Sequence, residues 1–186
     1  SRKAIMPAMK LRRSAGILLH PTSLPGPHGI GDIGPAAHRW ITDLADSRCK
    51  LWQILPLGPT GYGDSPYQCF STFAGNPYLI SPSLLVDDGL LSQEDLDAHP
   101  ELPSERVDYG RVITWKLSLL GLAFDRLGHR VFQDLRGAFE DFRAGNRWWL
   151  DDFALFMALK DLYSLRPWTE WPAPLRDRDA LQLKKA

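Results

Sequence analysis

Between Leu55 and Ile80 the sequence reads LPLGPTGYGDSPYQCFSTFAGNPYLI, in which the rings of Tyr62, Tyr67, Phe70, Phe73 and Tyr78 alternate with Ser, Asp, Gln and Asn. A stretch this aromatic is not a solvated linker. A loop of this length inside a compact domain is usually functional. Flat rings that stack on C–H faces, beside small polar groups that reach hydroxyls, suit a sugar, so this stretch is read as a carbohydrate-contacting loop. Its acids are weaker candidates for chemistry. Glycoside cleavage needs two carboxyl groups across the scissile bond, and only Asp64 and Asp32 stand in loops that follow predicted strands. Each adjoins a glycine, where Asp more often shapes a turn. No catalytic residue is therefore assigned. His20, at the C-terminal end of the first predicted strand, is the histidine placed near the site, with a loop-bracing role as the alternative.

Other chemistries are excluded one by one. Gly29-Ile-Gly31-Asp-Ile-Gly34 matches G-x-G-x-x-G, but Pro21 to His28 separate it from the preceding strand. The acid expected at the end of the next strand is also missing, so no nucleotide cofactor is expected. His20, His28 and His38 match no zinc spacing, and no G-x-S-x-G elbow occurs. Neither a metal nor any other cofactor is expected.

The 22 basic and 22 acidic residues cancel, and no basic block argues for nucleic acid. No apolar run is long enough to span a bilayer, and the short run Ala15 to Leu19 is not a signal-peptide core. Two cysteines, Cys49 and Cys69, make no disulfide framework, which suits the cytoplasm.

The elements that would position the loop follow from apolar patterning. Residues 1–13 read as a basic lead-in. Gly16 to His20 and Leu51 to Leu57 read as strands whose continuous apolar character suits a parallel sheet buried on both faces. Between them, Pro35 opens a helix with apolar positions Ala37, Trp40, Ile41, Leu44 and Ala45. Residues 14–81 thus form a βαβ unit with a substrate-facing loop at 58–79. Residues 82–186 read as a mainly helical subdomain: a short helix capped by Ser92, then helices over 111–128, 131–143 and 147–163. The last is apolar nearly all round and is expected to be the most buried. Two parallel strands leave faces and edges unpaired, and the final LQLKKA runs on without a helix cap. The chain is therefore read as the first part of something longer.

HPTSLPGPHGIGDIG, GYGDSPYQ with FAGNPYLI, RVDYG, and WWLDDFALFMALK with PWTEWP together resemble the N-terminal part of the amylomaltases. These are the 4-alpha-glucanotransferases of glycoside hydrolase family 77. The likeness runs from about Gly16 to Arg176 and covers about the first third of the family's usual length. It implies an α/β fold, the beginning of a (β/α)8 TIM barrel, incomplete in this chain and carrying an inserted helical subdomain. It further implies transfer of α-1,4-glucan segments between maltodextrins with retention, through a covalent glycosyl-enzyme. By its place in the motif, Tyr67 corresponds to a tyrosine stacked on the donor sugar. Asp64 and Ser65 fall where the family contacts glucose hydroxyls or braces the loop. Tyr62 falls at an outer glucan site whose second aromatic position is occupied here by Ile113. The family's catalytic Asp, Glu and Asp come from later strands and have no counterpart in this chain, so the chain alone should be inactive. The competing reading is a non-catalytic glycan-binding module derived from that family.

Overall fold

The computed structural model describes residues 13–103 and 105–183, and most of the 1–13 lead-in lies outside them. The chain divides into two compact units, 1–130 and 131–186.

In the first unit, β1 (Gly16–Leu18) and β2 (Leu51–Gln53) pair in parallel, with Gly16 opposite Leu51 and Leu18 opposite Gln53. Gly16 is required by this pairing, because a Cβ there would stand 2.7 Å from the Leu51 carbonyl oxygen. The crossover contains α1 (Pro35–Asp46), opened by its proline and buried through Ala37 and Leu44. The expected parallel βαβ arrangement is therefore present. As expected of two strands alone, the faces of this sheet are left uncovered within this chain: Ile17, Leu18, Leu51 and Ile54 are all exposed. Continuous apolar sequence calls for cover on both faces, and within the described residues the two strands have only each other in the sheet. Both strands are also shorter than their apolar runs, each ending before a proline (Pro21, Pro56) that cannot donate to a ladder.

The unit's core lies instead around α4 (Tyr109–Leu127). Asp108 caps this helix by accepting from the Arg111 amide at 3.2 Å. Val112, Trp115, Lys116, Leu119 and Ala123 are its buried positions, the spacing of one helical face. Around this face the chain buries Leu24 and Ile30 from the loop after β1, Leu79 from the loop after β2, and Leu90, Leu91 and Leu96. The last three belong to the region of α2 (Pro82–Asp87) and α3 (Gln93–Asp97). Ser92 caps α3 as expected, and does so reciprocally. Its Oγ accepts from the Asp95 amide at 3.3 Å, while its own amide donates to Asp95 Oδ2 at 2.7 Å. Asp95 also accepts from Arg126 of α4 at 3.1 Å, and this bond holds the Asp95 carboxyl down at about 2.

One apolar-face position is occupied by a cation. Lys116 is 1% exposed, and its Nζ donates to the carbonyls of Tyr78 at 2.7 Å and Ile80 at 3.0 Å, with Asp32 Oδ2 at 3.6 Å. Burial lowers the Lys116 ammonium to about 8 and raises Asp32, and each opposes the other's shift by its charge. Beside them His28 is buried, sharing a hydrogen bond with Ser83 Oγ at 3.0 Å and packing 5.6 Å from the Trp115 ring. This accounts for His28 as a core side chain.

The second unit contains α5 (Gln133–Leu162), α6 (Ala173–Arg176) and α7 (Ala180–Leu183). The helices expected over 131–143 and 147–163 are one helix. A mid-helix glycine costs only about 1 kcal/mol, and Gly145 is flanked by supports. Asn146 donates to the Phe142 carbonyl at 2.8 Å and accepts from Trp149 at 3.1 Å, and Arg147 pairs with Asp151 one turn on at 3.0 Å. Nor is this segment the most buried: only Leu159 and Lys160 of α5 are buried, and Trp148 is 69% exposed. Lys160 closes the helix end by donating to the carbonyls of Leu165 and Arg166. Trp171 then folds back between Phe156 and Tyr163, with ring centroids 5.7 and 6.0 Å away.

Two outcomes follow, to be measured by denaturant unfolding of the full-length gene product. Lys116→Ala strands the buried Asp32 carboxylate and should cost about 3–5 kcal/mol, whereas Lys116→Met combined with Asp32→Asn should cost far less. His28, held neutral in the fold with its pKa lowered to about 4 by burial, then by Lys116 and His99, takes up its proton more readily when unfolded. Stability should therefore fall as pH drops from about 6.5 to 4, by an order of 1–2 kcal/mol after allowance for screening. His28→Gln should flatten that part of the profile.

Candidate functional site

Parallel pairing sends the loops after β1 and β2 off the same end of the sheet. The second of these is the aromatic loop, and it is built as an ordered hairpin. Its two ends meet where the Asn76 amide donates to the Leu57 carbonyl at 2.7 Å. Its arms pair through an antiparallel bridge between Thr60 and Cys69. Bonds from Gly61 N to Gln68 O at 2.8 Å and from Phe70 N to Pro59 O at 3.1 Å flank the bridge. The tip turns through Gly63 (φ 69°) and Asp64 (φ 54°), both left-handed. Asp is one of the few side-chain-bearing residues that tolerates this region, so Asp64 shapes the tip. Ser65 secures it, its Oγ accepting from the Tyr67 amide at 3.3 Å and its carbonyl from the Gln68 amide at 3.1 Å.

This framework presents Tyr67 outward, 72% exposed, with Phe73 59% exposed, while the Phe70 ring lies against Gly61 of the opposite arm. A groove of about 480 Å³ runs beneath, lined by Pro56, Leu57, Tyr67, Cys69, Phe70 and Ser71 among others. Ser71 Oγ is committed to its own turn, accepting from the amides of Phe73 and Ala74 at 3.1 Å each. The groove therefore combines one free phenol ring with backbone and small polar groups, and a sugar ring fits such a lining better than a purely apolar ligand does.

The structure thus brings Asp64, Ser65 and Tyr67 together on one hairpin tip. Tyr62 belongs to the same turn and is described only along its backbone. His20 lies apart from them in sequence, on the loop after β1, where it precedes the turn Pro21–Ser23. It is half-buried, its pKa is lowered by burial, and its Nδ1 has no hydrogen-bond partner. An imidazole in this state is neutral and keeps one ring nitrogen uncommitted. Among the described residues no group of three His, Cys, Asp or Glu side chains is placed to hold a metal ion.

Sequence reasoning missed the parts that hold the hairpin. Asn76 is buried, and besides closing the loop it caps the turn Pro77–Leu79 by accepting from the Tyr78 amide at 2.9 Å. Lys116 grips the carbonyls on either side of Leu79. The available signal was its place on the apolar stripe between Val112 and Leu119, where a lysine needs buried acceptors.

The family model for 4-alpha-glucanotransferases (glycoside hydrolase family 77) matches residues 19–186. A 4-alpha-glucanotransferase of Thermus thermophilus is 49% identical over 178 residues, 96% of this chain and 35% of that protein. A chloroplastic/amyloplastic 4-alpha-glucanotransferase of Solanum tuberosum is 42% identical over 94% of this chain and 31% of its own length. Among solved structures, an amylomaltase from Streptococcus agalactiae in complex with acarbose superposes with a TM-score of 0.84 at 35% identity, over 94% of this chain and 35% of that one. The chain spans about a third of the length of these relatives. With the match running through the β1 and β2 loops and both helical regions, the chain belongs to the 4-alpha-glucanotransferase family, glycoside hydrolase family 77.

Proposed function

We propose that this chain is the N-terminal segment of a 4-alpha-glucanotransferase that moves α-1,4-glucan segments from one maltodextrin to another. The observation that carries the reading is Tyr67: a large ring, mostly exposed, on an internally bonded hairpin above a groove. An exposed aromatic on a rigid support provides a stacking platform at low entropic cost. Ser65 and Asp64 at the same tip would meet sugar hydroxyls or brace the turn, and Tyr62 would belong to an outer glucan site. His20 would stand near the site on the neighbouring loop, its unpartnered Nδ1 being buried. Relatives at 42–49% identity that carry the transferase name favour the enzyme over a stand-alone glycan-binding module.

In this reading β1 and β2 are the first strands of a (β/α)8 barrel, and residues 82–186 form a helical insertion. Closure of such a barrel would cover the exposed Ile17, Leu18, Leu51 and Ile54. The division of labour is then clear. This segment holds and orients the donor sugar, while the retaining chemistry needs a nucleophilic carboxylate and an acid/base carboxyl about 5–5.5 Å apart. Those two groups belong to the part of the family's length that this chain does not span. A cytoplasmic setting accompanies the reading, supported by the free thiols of Cys49 and Cys69 and by the lack of any described helix long and apolar enough to cross a membrane.

The test is Tyr67→Ala in the full-length gene product, assayed by glucose release from maltotriose. A stacked ring contributes about 1–2 kcal/mol, so KM should rise roughly tenfold. The melting temperature should hold, because the side chain is mostly exposed. Wild-type kinetics in this variant would reject the assignment of Tyr67 to the donor sugar.

A further inference from the structure

Lys116 stands on α4, outside the hairpin, yet its ammonium is bonded to the backbone where the hairpin's trailing strand rejoins the fold. The three N–H donors of a lysine face three acceptors here: Tyr78 O, Ile80 O and Asp32 Oδ2. Asp32 belongs to the loop after β1, and the two carbonyls belong to the loop after β2. A backbone bond between the same two loops, Ile33 N to Leu79 O at 2.9 Å, runs beside this junction. The turn so gripped continues directly into the hairpin base. The Tyr78 amide donates to Asn76 Oδ1 at 2.9 Å, the Asn76 amide to Leu57 O at 2.7 Å, and from there the paired arms lead to the tip.

Stability alone does not explain a lysine at this position. A buried ion pair can often be replaced by well-packed apolar residues without loss. An apolar side chain cannot, however, hold two carbonyls of one turn in register with the neighbouring loop. We propose that Lys116 is a positioning residue: by anchoring the turn Pro77–Leu79 to α4 and to Asp32, it sets the height and tilt of the hairpin that presents Tyr67. The kinetic consequence rests on the glucan reading of Tyr67, whereas the structural consequence does not.

The test uses the full-length protein carrying Lys116→Met with Asp32→Asn, which strands no buried charge, alongside Tyr67→Ala and the triple variant. Amide hydrogen exchange should quicken at Asn76, Gly61 and Phe70, roughly tenfold or more if the hairpin base opens locally. KM for maltotriose should rise about as much as in Tyr67→Ala, and the triple variant should be no more than about twofold worse than Tyr67→Ala alone, because coupled sites are not additive. Unchanged exchange at these amides, or kinetic effects that multiply, would overturn the proposal. Lys116→Gln with Asp32→Asn, which keeps a donor but loses reach and likewise strands no buried charge, serves as the second variant should the first fail to fold. It should quicken the same amides to a smaller degree, and unchanged exchange there counts equally against the proposal. A silent Tyr67→Ala would remove the glucan reading while leaving the exchange result to decide the role of Lys116.

Discussion

Among the described residues of the first unit, one buried cation, Lys116, ties the packing together. Lys116 is 1% exposed, and a charge so placed is tolerated only with its hydrogen bonds met. Its acceptors come from two different loops, so satisfying the ammonium forces those loops together over one face of α4. Within the described residues the sheet is two short strands with exposed faces. The helix and its lysine organise the loops, and the loops carry the candidate site.

The hairpin illustrates how such a site is kept rigid without a core of its own. Tyr67 and Phe73 are mostly exposed and contribute little burial, so much of its order comes from backbone bonds. These are the bridge at Thr60 and Cys69, the closure at Asn76, and the Ser65 and Ser71 turns, in which a hydroxyl accepts the amides that no ladder reaches. In a glucan-handling protein this arrangement would supply stacking, with little entropy lost on binding because the ring is already placed.

The second unit shows the opposite economy. A thirty-residue helix with few buried positions is completed by Lys160, which ties down the chain reversal at Leu165 and Arg166, and by Trp171, which returns between Phe156 and Tyr163. Apolar richness in its sequence did not translate into burial. An all-round apolar helix requires neighbours on every side, and periodicity reports only which faces are apolar, not what covers them.

Several features were legible in the sequence because their cause is local. Pro35 begins α1, Ser92 with Asp95 caps α3, the run from Arg111 to Leu127 is one amphipathic helix, and the two apolar runs pair in parallel. Family membership was equally legible, since GYGDSPYQ and FAGNPYLI encode a loop of particular turns and rings. What the sequence could not supply was long-range. It did not reveal that Gly145 sits inside a continuous helix, because the compensating bonds of Asn146 and Arg147 depend on a helix already formed. Nor did it single out Lys116, whose type reads as solvent-facing until Tyr78, Ile80 and Asp32 are brought around it from 38, 36 and 84 residues away. Residue types and short spacings determined the turns, the caps and the chemistry on offer. Only the tertiary structure decided which side chains hold that chemistry in place, because a buried charge chooses its partners in space.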